Sequence, residues 1–556
     1  RQYMKELFGM APEDIQVDWS PDTFGHPATV PDYLVRSGMR YLYLHRPGIY
    51  TENKYSAFWW EGKGRGRVLV RNDMELAYNG VIGPDIAQHM IRFNSFTGGR
   101  SYMFVYGVGD HGGGPTMRDI ERIILMNDWP VFPEIKFSTA RTFYEMLEKE
   151  SGASLPVIRG ELNTEFTGCY TTQSLIKKSV RVAENRLLDC EFALCTADLL
   201  RKANYDKEGL KEAWRNILLL HFHDILPGSG THDTRTYAHG LFQESIAFTA
   251  TKEMMGLRLI ADDVDTSFAR KWIKQEKMPF YSRETVGGGV GFGAQDGAVW
   301  LSDQSGSCGV YPFVVFNSTA VQRNEVIETT IWGNGGETPI KQRQFVVTDA
   351  KGNTVDAQIV GGGAYWGHDF VSLAFPANVP PLGYATYVIR EKEPDDKVIK
   401  DDKSNAGNIG LTHHCSYSFV ERGREGLEND FIRMEIDTST GGIKELLDKR
   451  NGERIIYQNQ PSRILEYAVE KPHHMSSWLI DHTGPAELPS VKAIRRIANG
   501  PYKASLQVDM AIHESEITVI YELRAGDPKL YVNINGFWFQ RGTPQTGVPV
   551  LSLVLP

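Results

Sequence analysis

The residues predict a multidomain chain of mixed class: a parallel α/β, barrel-like domain, then a bundle of three helices, then a C-terminal antiparallel β-sandwich region. Three observations carry this expectation. Short apolar runs alternate with helical stretches over residues 1–165, the pattern of a parallel α/β sheet or barrel. Apolar residues then recur every three or four positions from 172 to 262, which is the helical period. Beyond a Gly-rich stretch at 284–295 the chain becomes rich in Val, Ile, Thr and Tyr, broken by turn residues. The expected domains are 1–165, 166–265 and 285–556, and a length of 556 residues suits roughly three to four domains of about 150 residues.

In the first domain the strand candidates are Tyr41-Leu42-Tyr43-Leu44, Val68-Leu69-Val70, Tyr102-Met103-Phe104-Val105-Tyr106 and Leu155-Pro156-Val157-Ile158. Segments 86–91 and 140–149 read as helices. Asp22, Arg46, Asp110 and Glu161 each follow a strand candidate. In a parallel sheet that gathers them on the C-terminal edge, where α/β folds bind ligands. The bundle is read from Ile176, Val180, Ala183, Leu187, Cys190 and Leu194, then from Leu210, Ala213, Trp214, Ile217 and Leu218, then from Leu241, Ile246, Ala250, Met254 and Leu257. Cys190 and Cys195 fall on one of these helices as packing residues. In the last region Asp437-Thr438-Ser439-Thr440-Gly441-Gly442 and Lys449-Arg450-Asn451-Gly452 are turns. They bound alternating runs such as Phe431-Ile432-Arg433-Met434-Glu435-Ile436.

Composition removes several classes of function. A net charge of −9 and the lack of a concentrated basic run argue against a nucleic-acid partner. The five cysteines are scattered without a Cys-x-x-Cys pair, so neither a disulfide scaffold nor a thiolate zinc site is expected. No apolar run reaches the roughly 18 residues of a membrane span. An aromatic content of 11% suits stacking on sugar rings, though large β domains reach it too. The chain opens at Arg1 within a helix-like run, so the expectation is that a targeting segment, and with it the compartment, would be encoded upstream.

Two polar knots could do chemistry. In Val17-Asp18-Trp19-Ser20-Pro21-Asp22-Thr23-Phe24-Gly25-His26, Pro21 fixes the backbone and Gly25 permits a sharp bend, so a strand ends and presents the Asp22 carboxylate. A lone Asp in a loop is more often a turn residue. In Leu220-His221-Phe222-His223-Asp224-Ile225-Leu226-Pro227-Gly228 the helix is expected to run to Pro227-Gly228. Helical spacing turns His221 to the core and leaves His223 free to bind a ligand. Alone, it too would more often be structural.

Together these knots resemble the α-mannosidases of glycoside hydrolase family 38, in the form seen in bacterial members. Trp19-Ser20-Pro21-Asp22-Thr23-Phe24-Gly25-His26 is similar to the W-x-x-D-x-F-G-H element of that family, and His223-Asp224 to its H-D pair. Leu44-His45-Arg46-Pro47, Phe58-Trp59-Trp60-Glu61-Gly62, Gly107-Val108-Gly109-Asp110-His111-Gly112-Gly113-Gly114-Pro115-Thr116 and Gly168-Cys169-Tyr170-Thr171-Thr172-Gln173 follow in the family's order. So do Glu428-Asn429-Asp430-Phe431 and Thr440-Gly441-Gly442-Ile443 in the β region.

The resemblance implies an exo-acting, retaining hydrolase that releases α-linked mannose through a covalent glycosyl-enzyme intermediate. It implies one zinc ion per chain. Asp22 would be nucleophile and zinc ligand, His223 a second ligand, Asp224 a partner of sugar hydroxyls, and Phe24 and Arg46 would line the sugar pocket. Retention needs a nucleophilic carboxylate and an acid about 5–5.5 Å apart. The acid is left among Glu161, Glu165 and, third, Asp110. The implied partners are mannose-containing oligosaccharides or glycoprotein glycans, with homo-oligomer formation compatible with the reading.

One departure stands out. The family's His-x-Asp zinc pair has no counterpart between Arg1 and Asp22, leaving two of the three protein ligands usual for catalytic zinc. The expectation is a chain lacking its N-terminal segment, with weak zinc binding and poor activity on its own. Two rival readings follow from the residues. Gly107-Val108-Gly109-Asp110-His111-Gly112 matches a dinucleotide-binding GxGxxG, but an acid inside the loop would repel pyrophosphate. A non-catalytic carbohydrate-binding or structural relative is the other. His413-His414 and His473-His474 read as surface loops, since adjacent strand residues point to opposite faces. Asn317-Ser318-Thr319 is a lone glycosylation sequon.

Overall fold

The structure is a computed structural model that describes all residues except 1, 47–54, 74–77, 110–111, 164, 274–308, 334–337, 366–367, 399–414, 422–423, 458, 460, 482 and 556. The Gly-rich stretch, Asp110, His413 and His414 therefore lie outside the described residues. Residues 1–174, 222–231 and 475–480 form one compact unit, and 175–221, 232–474 and 481–556 a second.

A five-stranded sheet organises the first unit. Its strands are β1 (Val17–Ser20), β2 (Tyr41–Leu44), β3 (Ala57–Glu61), β4 (Arg67–Asn72) and β5 (Val157–Arg159), hydrogen-bonded in the order β1-β2-β4-β3-β5. β1, β2 and β4 are mutually parallel, β3 is antiparallel to β4, and β5 is parallel to β3. The sheet is thus mixed and open among the described residues, a correction to the parallel, barrel-like expectation. The cause is local. Gly62-Lys63-Gly64-Arg65-Gly66 is too short for a parallel crossover, which takes a dozen or more residues, so it closes a hairpin. Gly62 N–H donates to Gly66 C=O at 2.8 Å. The Asp32 carboxylate accepts from Gly64 N–H at 2.8 Å and from Gly66 N–H at 2.7 Å. A Cβ on Gly62 would lie 2.6 Å from that carboxylate, which explains a glycine there.

This reversal changes where the strand ends fall. Asp22 and Arg46 follow the C-terminal ends of β1 and β2, as expected. β5 runs the other way, so Glu161 emerges at the opposite edge of the sheet, and the four strand-end residues do not share one face. The Tyr102–Tyr106 run also forms no ladder strand: Tyr106 makes an isolated bridge to Gly80.

The helices of this unit are α1 (Gln2–Phe8), α2 (Val30–Arg36), α3 (Ile86–Thr97), α4 (Met117–Asn127) and α5 (Ala140–Ser151). Because strand side chains alternate, Tyr41, Ala57 and Leu69 face Phe93 of α3 and Phe143, Tyr144 and Leu147 of α5. Leu42, Leu44, Phe58, Trp60, Val68 and Val70 face the other way, against Leu34 of α2 and Leu162. Helices on one face and α2 on the other leave the sheet buried, with Tyr43, Leu44 and Trp60 fully inaccessible.

In the second unit α6 (Ser174–Leu199), α7 (Lys207–Leu220) and α8 (His232–Ala261) bury the expected positions, among them Ile176, Val180, Leu187, Cys190, Leu210, Ile217 and Ala250. Cys195, in contrast, is exposed. α7 stops at Leu220, ahead of Pro227-Gly228: His221 N–H closes the last turn on Leu218 and Leu219 C=O, and a separate turn follows in which Ile225 and Leu226 N–H donate to Phe222 C=O. His221 caps that helix with Nε2 2.8 Å from Glu184 Oε1, so it faces a carboxylate and not the apolar core. The paired strands described from Val310 onward are antiparallel, and their two larger clusters of buried residues are separate. One is centred on Val347, Val371 and Ile389, the other on Met434, Leu506 and Val519. Asn317 is buried, and its amide donates to the carbonyls of Val321, Val379 and Pro380 at 2.8, 3.2 and 2.9 Å, so the sequon serves the fold. His473 lies in a loop with Nε2 2.9 Å from Glu470 Oε1.

Candidate active site

Three loops of the first unit meet at one guanidinium. Arg46, just past β2, donates from Nε to Asp22 Oδ1 at 2.9 Å and from Nη1 to Glu165 Oε1 at 3.0 Å. The Asp22 turn is built as the sequence suggests. Gly25 has φ +82°, and a Cβ there would lie 2.6 Å from the Tyr170 hydroxyl. Tyr170 in turn donates to Asn163 at 2.7 Å. His26 is buried edge-on to Trp60 and its Nε2 is 2.8 Å from Thr23 C=O, while Leu162 N–H donates to His26 C=O at 2.9 Å. These bonds tie loop 21–26 to loop 160–166 and bring Glu165 back from the far edge of the sheet.

The other oxygen of Asp22 faces the second knot. His223 Nε2 is 3.8 Å from Asp22 Oδ2 and 3.8 Å from Asp224 Oδ2. Residues 222–231 belong to the first unit although α7 and α8 belong to the second. Gly228 seats that loop: its φ is +83°, and a Cβ would meet the Thr172 carbonyl at 2.4 Å. The structure thus brings together Asp22, Arg46, Glu165, His223 and Asp224. Phe24 joins them through an edge-on contact with Phe166 at 5.2 Å. Glu161 is exposed and makes no hydrogen bond or ion pair among the described residues.

Burial sets Glu165 apart from the other clustered acids. The Glu165 side chain is 6% exposed, and burial raises its pKa against the opposing pull of Arg46. One of its oxygens is held by Arg46, while Oε2 is buried without a hydrogen-bond partner among the described residues. Asp22 is more open, at 23% of its side chain. His26 has its pKa lowered by burial, so its ring is neutral.

Sequence reading missed Phe166. Its backbone is left-handed at φ +59°, unusual for an aromatic residue, and its ring lies 4.7 Å from the Arg46 guanidinium. No sequence pattern announces such a conformation. Trp19 was seen only as part of a motif, yet it stacks on Tyr43 at 4.1 Å, and Tyr43 donates to the buried Asp73 at 3.1 Å. This network supports the end of β1 from behind.

The donor set suits zinc in kind, since a carboxylate oxygen and an imidazole nitrogen face each other at 3.8 Å. No group of three His, Cys, Asp or Glu side chains is arranged to hold a metal among the described residues. The dinucleotide reading finds no support in the helix after the glycines. The N-terminus of α4 is closed by Asp119, which accepts from Thr116 N–H at 3.0 Å and Thr116 Oγ1 at 2.7 Å and would oppose a pyrophosphate. No helix among the described residues is long and apolar enough to cross a membrane.

The chain is similar to known proteins along most of its length. The profile of the glycosyl hydrolases family 38 N-terminal domain matches residues 1–161, that of the α-mannosidase middle domain 164–253, and that of the family 38 C-terminal domain 427–537. The chain is 32% identical over 213 residues to α-mannosidase G of Dictyostelium discoideum, covering 38% of this chain and 19% of that protein. It is 32% identical over 217 residues to human α-mannosidase 2C1, covering 38% of this chain and 21% of that protein. The matches therefore span about a fifth of these relatives' lengths. The fold is similar to the crystal structure of an α-mannosidase from Enterococcus faecalis V583, with TM-score 0.66 and 17% identity, over 96% of this chain and 61% of that one.

Proposed function

The chain belongs to glycoside hydrolase family 38, and from that premise we propose that it is a retaining, exo-acting α-mannosidase with Asp22 as its nucleophile. The observation that carries the proposal is the convergence of Asp22 and Glu165 on the Arg46 guanidinium, with His223 facing the free Asp22 oxygen. Arg46 holds one oxygen of Asp22 and so aims the carboxylate. Asp22 attacks the anomeric carbon of a terminal mannose while an acid gives its proton to the departing oxygen. The resulting glycosyl ester on Asp22 is opened by water, whose proton returns to the same acid, now acting as base.

Among the described residues Glu165 is the acid best supported. Burial favours its protonated form, and Oε2 is free to hold the proton. Asp224, which is exposed, would bond sugar hydroxyls, and Phe24 would pack on the ring. Asp22 and His223 would hold a zinc ion. Such an ion, when bound, would orient the sugar and offset charge developing at the reacting centre. The substrate class is a glycan ending in α-linked mannose.

The test is turnover of 4-nitrophenyl α-mannoside and of a mannose disaccharide. Asp22→Asn should lose roughly a thousandfold or more on both. Glu165→Gln should lose far more on the disaccharide, whose leaving group needs a proton, and azide should restore the activated substrate. If Asp110→Asn has that profile and Glu165→Gln does not, the acid is Asp110. If Asp22→Asn keeps its turnover, the proposal fails.

A further inference from the structure

At the edge of the sheet opposite Asp22 lies a cleft that the proposed reaction does not use. It has a volume of about 620 Å³ and is lined by Ala28, Glu61, Gly62, Lys63, Arg65, Arg159 and Gly160. Its charge is unbalanced. Arg159 is matched by Glu61, Nε to Oε1 at 2.7 Å, but neither Lys63 nor Arg65 makes an ion pair among the described residues. Arg67 is directed elsewhere, its guanidinium lying 4.5 Å from the Trp59 ring.

The cations are held on a fastened support. Lys63 N–H donates to Ala28 C=O at 3.3 Å, and Arg65 N–H to Gly62 C=O at 3.0 Å. With Asp32 clamping Gly64 and Gly66, the hairpin has no slack in which to turn Arg65 away. Arg65 stands at φ +65°, a left-handed backbone that a non-glycine residue adopts at a cost. An asparagine or glycine would meet the turn's needs more easily, so an arginine there points to a use for the guanidinium.

We propose that this cleft binds a doubly charged oxyanion, a phosphate or sulfate group either free or esterified to a glycan, between Lys63, Arg65 and Arg159. A tetrahedral dianion matches a net charge of plus two from three cations and one carboxylate. The site is separate from Asp22, so its occupancy serves recognition of a charged ligand and not bond cleavage.

The experiment is phosphorus NMR of inorganic phosphate and of mannose 6-phosphate, each titrated with the protein at low salt. Both resonances should broaden on binding. Arg65→Gly, which suits the left-handed backbone and so keeps the hairpin, should weaken binding roughly tenfold, and Lys63→Glu at least as much. Turnover of 4-nitrophenyl α-mannoside should be unchanged in both variants. Broadening of the ester alone would identify a phosphorylated glycan as the ligand, and broadening of both would show that the free anion suffices. Absence of broadening, or binding by both variants equal to that of the unaltered chain, would overturn the proposal.

Discussion

The two edges of the five-stranded sheet use cations in opposite ways. At the edge with Asp22, a single arginine serves two carboxylates, and Arg46 is only 25% exposed at its side chain. At the other edge, one of three cations, Arg159, is paired with a carboxylate and is 70% exposed, while Lys63 and Arg65 make no ion pair among the described residues. A cation shared between acids positions them, because its charge is already spent within the protein. A cation without an acid offers its charge outward. The same residue type therefore marks an internal device at one edge and a recognition surface at the other, and the difference is readable from pairing, not from residue identity.

The strongest way to break this contrast is Arg46→Met. It would leave Glu165 buried without its cation and Asp22 without its guide. A cost of about 2–3 kcal/mol in stability is expected, moderated by the partial exposure of Arg46. Turnover should fall far more than stability explains, because the Asp22 carboxylate loses its orientation. Denaturant unfolding alongside 4-nitrophenyl α-mannoside turnover separates the two effects. An Arg46→Met chain that turns over normally would mean that Arg46 is merely structural. The opposite edge should not respond: phosphate binding should stay as it was.

A smaller effect is expected from Asp32→Ala, which acts on the other edge. It removes the acceptor of two backbone N–H groups, Gly64 and Gly66, at 2.8 and 2.7 Å. The loss should be about 1–2 kcal/mol, since one of the freed groups can turn to water. Phosphate affinity should drop as Lys63 and Arg65 lose their fixed support, while mannoside turnover holds. Equal losses in both measurements would show the edges to be coupled.

How much of this was legible in the residues depends on the range of the interaction. The Asp22 turn could be read because Pro21 and Gly25 force it within a few positions. His223 stood out by its residue type beside Asp224, but the helical period used to orient it did not apply, because α7 ends at Leu220. The direction of β3 was hidden in Gly62-Lys63-Gly64-Arg65-Gly66, where a five-residue link forbids a parallel crossover, and counting that link would have found it. The pairing of Glu165 with Arg46 was not accessible, because it joins residues 119 positions apart through a loop that recrosses the sheet. Phe166 carries no sequence signal at all: its left-handed backbone is imposed by what surrounds it. The early end of α7 at Leu220 was not legible either, since Pro227-Gly228 stops only the separate turn that follows at Phe222.

The smallest predicted effect concerns His26, which stands on the strand of chain joining the two edges. Burial lowers its pKa from the ordinary 6.5, opposed by hydrogen bonding to Thr23, so the folded chain holds it neutral. The unfolded chain then binds the proton more readily between the folded pKa and 6.5. Its contribution to stability is present above 6.5 and is lost as pH falls toward the folded value. Glu165 has the opposite sign: its raised pKa makes the folded chain the better proton binder, so its penalty is felt as pH rises through that value and relieved on acidification. Urea unfolding of the unaltered chain and of His26→Gln at pH 7 and at about pH 5 distinguishes them. The unaltered chain should lose more stability over that interval than His26→Gln, by up to roughly 1 kcal/mol. An equal loss would mean that His26 is already solvated in the fold, and the joint between the two edges would then be looser than its hydrogen bonds to Thr23 and Leu162 require.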